Sequence, residues 1–511
     1  MRALISVYDK TDLTSFARGL VDLGFELVAS GGTAAFLESE RVPVTPVEEL
    51  TEFPELLEGR VKTLHPNVHA GILARRGAGD DLAQLAEHGI EPFDLVCVNL
   101  YPFERVVAGL DVRDEVAVEM IDIGGPAMLR GAAKNYSFVT PVCRPQDYDE
   151  VLAELRAQGG KTSLDTRWRL AGVAFATTAA YEAAIATWFQ SNEIVPEAIS
   201  LSVEKVLDLA YGENPHQLAA YYAEHGVRTH LLSRVEQLRG KPLSFNNLND
   251  LSAARLLIRE LDAPACVIVK HANPCGVAVA ETIEEAYERA FAADPVSAYG
   301  GVVVLNRAVS AALGEALAEQ FVEVLFAPGY DEQAMEALAR KTAIRILNDT
   351  ERRALVDTER DYKRVLGGLL VQDRDWEIAE RGRMEVVSGH VRDAQWDDLL
   401  FAWRVVKHVI SNAIVLAKGG RTIGIGAGQM SRVDAVRIAV EKARELGHDV
   451  SDAVLASDAF FPFADGPQIA LDAGVRAIVQ PGGSKRDAEV IETVSAAGAA
   501  MVFTHRRHFR H

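Results

Sequence analysis

Ala3-Leu4-Ile5-Ser6-Val7 is followed by a helical pattern over Leu13–Leu20 and then by Phe25-Glu26-Leu27-Val28-Ala29, which runs into Ser30-Gly31-Gly32-Thr33. Two apolar, strand-like runs with an amphipathic helix between them predict a βαβ unit in a parallel, two-sided sheet. The pattern recurs with strand-like runs at Leu95–Asn99 and Phe138–Val142 and a helical stretch at Val151–Gln158. In such sheets ligands sit beyond the carboxyl ends of the strands, and polar motifs fall there: Ser30–Thr33 after one run, Tyr101-Pro102-Phe103 after another.

The α/β alternation resumes from about residue 203, with strands predicted at Ala265–Val269, Gly301–Leu305, Ala413–Leu416 and Ala477–Gln480. A chain of 511 residues exceeds the roughly 250–300 at which one core stops growing. The reading is an N-terminal domain over 1–190, a linker over 191–202 marked by Pro196 and the lack of an apolar face, and a domain over 203–511 with two lobes. No repeat of 20–50 residues and no low-complexity tract is found.

Composition narrows the function classes. Hydrophobic residues at 49% and charged residues at 25% exclude a mostly disordered chain. Acids outnumber bases 73 to 53, a net charge of −20, which argues against nucleic acid or anionic membrane as a partner held by bulk charge. Four cysteines (Cys97, Cys143, Cys266, Cys275) without a Cys-x-x-Cys pair give neither a disulfide framework nor a zinc knuckle. Asp9 interrupts any signal-peptide apolar region, no apolar run of about 18 residues is evident, and the expected compartment is a reducing cytoplasm.

In the N-terminal half, Asp9-Lys10-Thr11, Ser30–Thr33 and Arg60-Val61-Lys62-Thr63 together suggest a phosphate cradle, in which glycine N–H groups, a helix N-terminus and cationic side chains meet an anion. His65 and His69 have the spacing of a helical metal pair, but Pro66 disfavours helix at His65, so no metal site is read there. Asp122-Ile123-Gly124-Gly125-Pro126 opens a helix that carries Arg130 and Lys134-Asn135. Lys134 is either a solvated cation complementing the helix dipole or a catalytic ammonium, and the residues alone leave both open.

In the C-terminal half, Pro264–Val269 runs into Lys270-His271-Ala272-Asn273-Pro274-Cys275-Gly276. A histidine can act as general base there and the adjacent lysine can stabilise developing negative charge. Nothing marks a partner that would activate Cys275. Gly424–Arg432 lacks the third glycine of a dinucleotide fingerprint, with Gln429 in its place, and fits an anion contact through Ser431-Arg432 better. Ser457-Asp458-Ala459-Phe460-Phe461-Pro462-Phe463 would stack a flat ring and bind its N–H groups, and Gln480–Lys485 is a further strand-end turn. The tail His505–His511 has the composition of a disordered basic tail, yet follows a strand-like run at Met501–Thr504.

These motifs, with Asn99–Phe103 and Tyr211–Gln217, occur in order along the whole chain, which resembles the bifunctional AICAR transformylase/IMP cyclohydrolase family of purine biosynthesis. The resemblance implies an N-terminal methylglyoxal synthase-like parallel-sheet domain that closes formyl-AICAR to IMP. It implies a C-terminal duplicated cytidine deaminase-like domain, without the deaminase zinc, that transfers a formyl group from 10-formyltetrahydrofolate to AICAR. Lys62 and Lys134 then match proton-transfer residues, with Tyr101 and Asp122 near the reacting groups. Tyr8, Asp9, Lys10, Ser30, Gly31, Gly32, Thr33, Arg60, Thr63, Asn99, Ile123 and Gly124 match nucleotide-binding positions. In the transformylase, the resemblance implies Lys270 and His271 as oxyanion stabiliser and base and Asn412 as holding the reacting groups. Tyr211, Gly300, Glu323, Arg432, Phe460 and Arg507 match the AICAR pocket, and Val433, Asp465, Ser484 and Lys485 the folate side. Homodimers with interfacial transformylase sites, no catalytic metal and no nucleic-acid or membrane partner complete the implied picture.

Two positions depart from the family pattern. Ala210 stands where arginine usually helps bind the nucleotide phosphate, so weaker AICAR binding is expected unless Arg234 or Arg239 substitutes, and Tyr8 stands where serine is usual. Rival readings are a nucleotide-binding regulator without catalysis, opposed by Lys62, Lys134, Lys270 and His271, and a zinc deaminase, opposed by the missing Cys-x-x-Cys pair.

Overall fold

The computed structural model describes residues 1–54, 57, 60–77, 79–107, 113–190, 193–224, 231–232, 235–349, 359–377 and 380–511. Arg234 and the first two residues of the expected linker lie outside them. The chain divides into two compact units, Met1–Glu204 with Ala223–Arg228, and Lys205–Tyr222 with Thr229–His511.

The first unit is built on five parallel strands in the order Thr45–Pro46, Glu26–Ala29, Arg2–Ser6, Leu95–Val98, Thr140–Val142. Alternate side chains feed two cores, as strands covered on both faces require. Leu4, Val28, Val96 and Val98 pack with Ile72, Met128 and Leu129. Ala3, Ile5, Leu27 and Cys97 pack with Phe16, Leu20 and Leu152 on the other face. The Phe16 and Tyr148 rings stack there with centroids 4.2 Å apart. Strand order reverses between Arg2–Ser6 and Leu95–Val98, so a crevice opens at their carboxyl ends. Phe138 lies before the last strand, which starts at Thr140 rather than 138.

The helix Leu164–Phe189, capped by the Ser163 hydroxyl accepting from Thr166 N, is long and apolar enough by length and composition to cross a membrane. That differs from the expectation that no such stretch exists. Here its Ala171 and Ala174 are buried beside Leu129 and Ala132 of the helix Gly124–Lys134, and Asp165, Arg167, Arg169 and Glu182 interrupt it.

The second unit holds two six-stranded sheets of the same topology. One runs Val235–Arg239, Arg345–Asp349, Val324–Ala327, Val302–Leu305, Ala265–Lys270, Asn273–Val279. The other runs Glu385–Ser388, Ala500–Phe503, Ala477–Gln480, Val454–Ser457, Ile414–Ala417, Thr422–Gly426. In each, the second, third and fourth strands are mutually parallel and every other pairing is antiparallel. This is a duplicated lobe, invisible as a short repeat because its period is a whole domain half. The last strands of the two sheets meet edge to edge: Val277 N donates to Thr422 Oγ1 at 3.0 Å and Val279 N to Gly420 O at 2.9 Å.

The basic tail is not a solvated appendage. His508 is buried, its N–H donates to Asp458 O at 3.0 Å, and Ser411 N donates to Arg510 O at 2.9 Å.

Candidate active sites

A cavity of 790 Å³ occupies the crevice at the strand-order reversal of the first unit. Asn99, just past one central strand, uses its Oδ1 to accept from Tyr8 N at 2.6 Å and Asp9 N at 3.0 Å, and its Nδ2 donates to Asp9 O at 2.9 Å. One amide side chain thereby pins the loops on both sides of the crevice. Opposite them, the helix Gly31–Ser39 points its N-terminus at the cavity, which Ser30, Gly32 and Thr33 line. Such an end presents unpaired N–H groups to an anion. The Thr33 hydroxyl is committed inward, accepting from Val7 N and donating to Val7 O, both at 3.0 Å. Ser30 Oγ meets Ser6 Oγ at 2.7 Å.

Arg60, Lys62, Thr63, Tyr101, Asp122, Ile123 and Gly124 line the same cavity. Asp122 Oδ1 accepts from Gly125 N at 2.8 Å, capping the helix Gly124–Lys134. Burial pushes the Asp122 carboxyl above the usual carboxylate range, against the Gly125 N–H, the Lys62 charge and the Tyr101 N–H. Two glycines are required here: a Cβ at Gly124 would stand 2.4 Å from Thr63 Oγ1, and one at Gly125 would stand 2.3 Å from Asp122 Oδ2. Tyr8, half exposed, packs edge-on against Tyr101 with ring centroids 5.6 Å apart, so the serine-to-tyrosine departure adds an aromatic wall.

Three expected residues stand apart from this cavity. Asp9 turns its Oδ1 to Thr11, accepting from the backbone N at 3.0 Å and the hydroxyl at 2.7 Å. Gly31 begins the helix without lining the cavity. Lys134 is exposed on the last residue of the eleven-residue helix whose first residues face the cavity, roughly 15 Å away along the axis. Lys10 lines the cavity but its Nζ donates to Val7 O at 2.8 Å, and burial lowers its pKa. Residues missed from the sequence include Glu119, paired with Arg60, and Tyr181, whose hydroxyl accepts from Asp122 N at 2.7 Å and donates to Met120 O at 2.9 Å. Tyr181 has no local signature, because it reaches the site from a helix remote in sequence, and Glu119 is one of several acids on an ordinary short helix just before Asp122.

In the second unit, Lys270 and His271 line a 200 Å³ pocket with Asp294, Ser297 and Lys442. Lys270 Nζ donates to Tyr299 O at 2.8 Å. Asp294 accepts from Lys442 Nζ at 2.6 Å and from Ser297 N at 2.9 Å, fixing the turn that leads to Tyr299. Cys275 also lines this pocket, but burial raises its thiol to about 12, so it is not a thiolate there.

A second polar cluster surrounds Asn412. Arg432 Nη2 donates to Asn412 Oδ1 at 2.7 Å, and Arg432 Nη1 donates to Ser457 Oγ at 2.8 Å and to Asp458. Asn412 Nδ2 donates to Gln429 O at 2.8 Å. Asp458 has no exposed surface and also accepts from the Ser411 hydroxyl. Asp458, which the sequence suggests for ring N–H groups, is thus paired with Arg432, which it suggests as an anion contact, and both are buried. Asn273 bridges the lobes, its Oδ1 accepting from Ile410 N at 2.9 Å.

The other expected residues do not line the 200 Å³ pocket. Glu323 accepts from Arg345 Nη1 at 2.6 Å. Gly300 has φ +73° against the Phe321 ring. Phe460 and Arg507 are exposed, with Arg507 over the Phe509 ring at 4.4 Å. Tyr211 O accepts from Phe245 N at 3.1 Å, next to Ala210. Arg239, the described candidate to compensate for Ala210, donates to Ala339 O at 2.9 Å. Val433 follows Arg432 on one helix, Asp465 opens the helix Asp465–Ala473, Ser484 Oγ accepts from Arg486 N at 3.1 Å, and Lys485 is exposed. Among the described residues no group of three or more His, Cys, Asp or Glu side chains could hold a metal ion.

Residues 132–442 match the family described as AICARFT/IMPCHase bienzyme, and residues 12–127 match the MGS-like domain. The "Bifunctional purine biosynthesis protein PurH" of Magnetococcus marinus is 50% identical over 527 residues, covering 100% of this chain and 99% of the relative. The protein of the same name from Acidithiobacillus ferrooxidans is 50% identical over 519 residues, with the same coverage. A solved structure titled "Crystal structure of ForH" is 41% identical, covers 37% of this chain and 98% of its own, and has a TM-score of 0.34. With a family match over more than half its length and relatives aligned from end to end, the chain belongs to the AICARFT/IMPCHase bienzyme family.

Proposed function

We propose that the two activities of this bifunctional enzyme, formyl transfer to AICAR and closure of formyl-AICAR to IMP, divide between residues 203–511 and 1–190, joined by 191–202. The observation that carries the assignment is the 790 Å³ cavity in which Asp122, Lys62 and Tyr101 face a helix N-terminus. There the helix end, Arg60 and the backbone around Tyr8 hold the nucleotide phosphate. Ring closure joins the carboxamide nitrogen to the formamide carbon and expels the formamide oxygen as water. Lys62 and Tyr101 pass two protons to that oxygen, Asp122 takes one carboxamide proton, and the formamide N–H proton is given up as the ring C=N bond forms, so the two hydrogens that leave as water are replaced from the substrate. Lys134, which the family resemblance matches to a proton-transfer residue, is kept as a candidate for the same proton transfers.

In formyl transfer the AICAR 5-amino nitrogen attacks the formyl carbon of 10-formyltetrahydrofolate. That amine is conjugated and weakly nucleophilic, so His271 removes its proton as the bond forms, while Lys270 stabilises the oxyanion. Collapse breaks the bond to N10, which takes up the proton, and tetrahydrofolate leaves. Asn412, aimed by Arg432, orients the reacting groups, with Tyr211, Gly300, Glu323, Phe460 and Arg507 toward AICAR and Val433, Asp465, Ser484 and Lys485 toward folate. A homodimer working in the cytoplasm is consistent with the acidic surface charge and the free cysteines.

The test is one coupled assay with a metal chelator present, supplying AICAR and 10-formyltetrahydrofolate and following tetrahydrofolate and IMP together. Both products are expected. Neither product, although both ligands bind, would leave a nucleotide-binding protein in place of an enzyme, with Ala210 the first position to restore to arginine.

A further inference from the structure

Lys270 and Asn273 pair directly across the antiparallel hairpin of the first lobe, so His271 and Ala272 form a two-residue loop. Both have left-handed backbone, φ +53° and +59°. A hairpin loop of this shape favours Gly, Asn or Asp, because a Cβ crowds the following carbonyl oxygen at positive φ. Histidine followed by alanine is a poor choice for it, and something must hold the pair there. Asp250, on the helix Phe245–Ile258, does so: its Oδ2 accepts from His271 N at 3.2 Å and its Oδ1 from Ala272 N at 2.6 Å.

The second lobe contains the same device. Asp398, on the helix Asp393–Val406, accepts from Gly419 N at 2.8 Å and Gly420 N at 2.6 Å, with φ +61° and +71° at the two glycines. Each aspartate precedes its first turn residue by 21 positions. Each turn follows a lysine, Lys270 or Lys418. The duplicated lobes therefore carry one carboxylate clamp twice. Where no side chain is presented, the clamped residues are the glycines the backbone prefers. Where the site lies, they are His271 and Ala272.

We propose that Asp250 is a positioning residue for formyl transfer, its carboxylate holding the left-handed turn from which the His271 imidazole reaches the substrate amine. The proposal rests on the reading of His271 as the base. It also gives the conformational reason for a carboxylate at residue 250, which lies on a helix away from the sheet end.

The experiment measures both activities in the full-length enzyme with Asp250→Ala, Asp398→Ala, His271→Ala and the double variant Asp250→Ala/Ala272→Gly. Loss of the clamp should lower the transformylase kcat about tenfold or more with the AICAR KM within about twofold, since geometry rather than binding is disturbed. Cyclohydrolase turnover and the Asp398→Ala transformylase kcat should stay within about twofold of the parent. Glycine at 272 accepts positive φ without the steric penalty, so the double variant should recover several-fold of the lost kcat, a rescue that a merely structural role would not produce. Undiminished kcat in Asp250→Ala, or no rescue in a folded double variant, overturns the proposal. Full activity in His271→Ala overturns the underlying reading instead. If Asp250→Ala does not fold, Asp250→Asn, which keeps the shape and one acceptor, carries the same comparison: a fall in kcat reversed by Ala272→Gly supports the clamp, and no fall overturns it.

Discussion

Arg432 Nη2 donates to Asn412 Oδ1 at 2.7 Å, which makes the guanidinium the aiming device for the amide rather than a free phosphate ligand. Its other nitrogen is held by Asp458 and Ser457, which are buried with it. Lysine cannot serve three acceptors in one plane, so Arg432→Lys should lower formyl transfer by about 10²-fold while cyclohydrolase is unaffected. Asp458→Ala strands a buried cation, at about 3–5 kcal/mol, and should also lower the unfolding midpoint. Steady-state kinetics with urea unfolding distinguishes the two. An Arg432→Lys enzyme with parental formyl transfer would remove Arg432 from the site.

In the first unit the comparable relationship is between Asp122 and Gly125. Alanine in place of a helical glycine ordinarily stabilises by about 1 kcal/mol, yet here its Cβ would meet Asp122 Oδ2 at 2.3 Å. Gly125→Ala should therefore displace the carboxylate and lower cyclohydrolase kcat by about tenfold or more, leaving formyl transfer intact. Parental ring closure in this variant would mean that Asp122 has no part in it.

The strand ends that carry both sites were legible because buried parallel strands read as continuous apolar runs, and the polar residues just beyond them stand out. That is why Asn99, Lys270 and His271 stand out in the sequence, whereas Asp122 is marked by the Gly-Gly-Pro run that opens its helix. Partners reaching in from helices could not. Asp250, Asp398 and Tyr181 sit in ordinary amphipathic segments, and only the tertiary fold brings them to a turn or a cap. Direction was also hidden: the acid of Ser457–Phe463 looks available in sequence, whereas in the fold Asp458 faces Arg432. For Lys134 the helix was predicted correctly, but periodicity does not say which end meets the cavity. The duplication was legible through the family resemblance and not as a short repeat, because the lobes share topology and clamp spacing rather than a repeated motif.

Asp122 also makes the cyclohydrolase pH profile informative. Burial places its folded-state pKa above the ordinary value, so ionised Asp122 destabilises the fold, and that penalty fades as pH falls through the folded pKa toward the unfolded value of about 3.9. Ring closure that needs the carboxylate should show an acid limb above about pH 3.9, displaced upward in the direction of the shift. Asp122→Asn should remove most of the activity, and the residual rate should lack that limb. A limb that survives the substitution belongs to another group.

The tail supplies the last prediction. His508 N–H serves Asp458 O, Arg510 O serves the Ser411 N–H, and Arg510 Nη1 donates to His408 O at 2.6 Å. These bonds brace the His408–Ser411 backbone that leads into Asn412 and the Asp458 backbone opposite it, so removing residues 508–511 exposes or orphans groups beside the candidate transformylase site. Each buried group left unpaired costs about 1–3 kcal/mol. A chain ending at Arg507 keeps that arginine, yet should lose formyl transfer by about tenfold or more while still closing formyl-AICAR to IMP. Protease digestion should cut the segment around Ser411 faster than in the full chain. If the truncated enzyme transfers formyl groups at the parental rate, the tail is a surface feature, and the ordering of Ser411 and Asn412 comes from the remaining partners, Arg432, Asp458 and Gln429 among them.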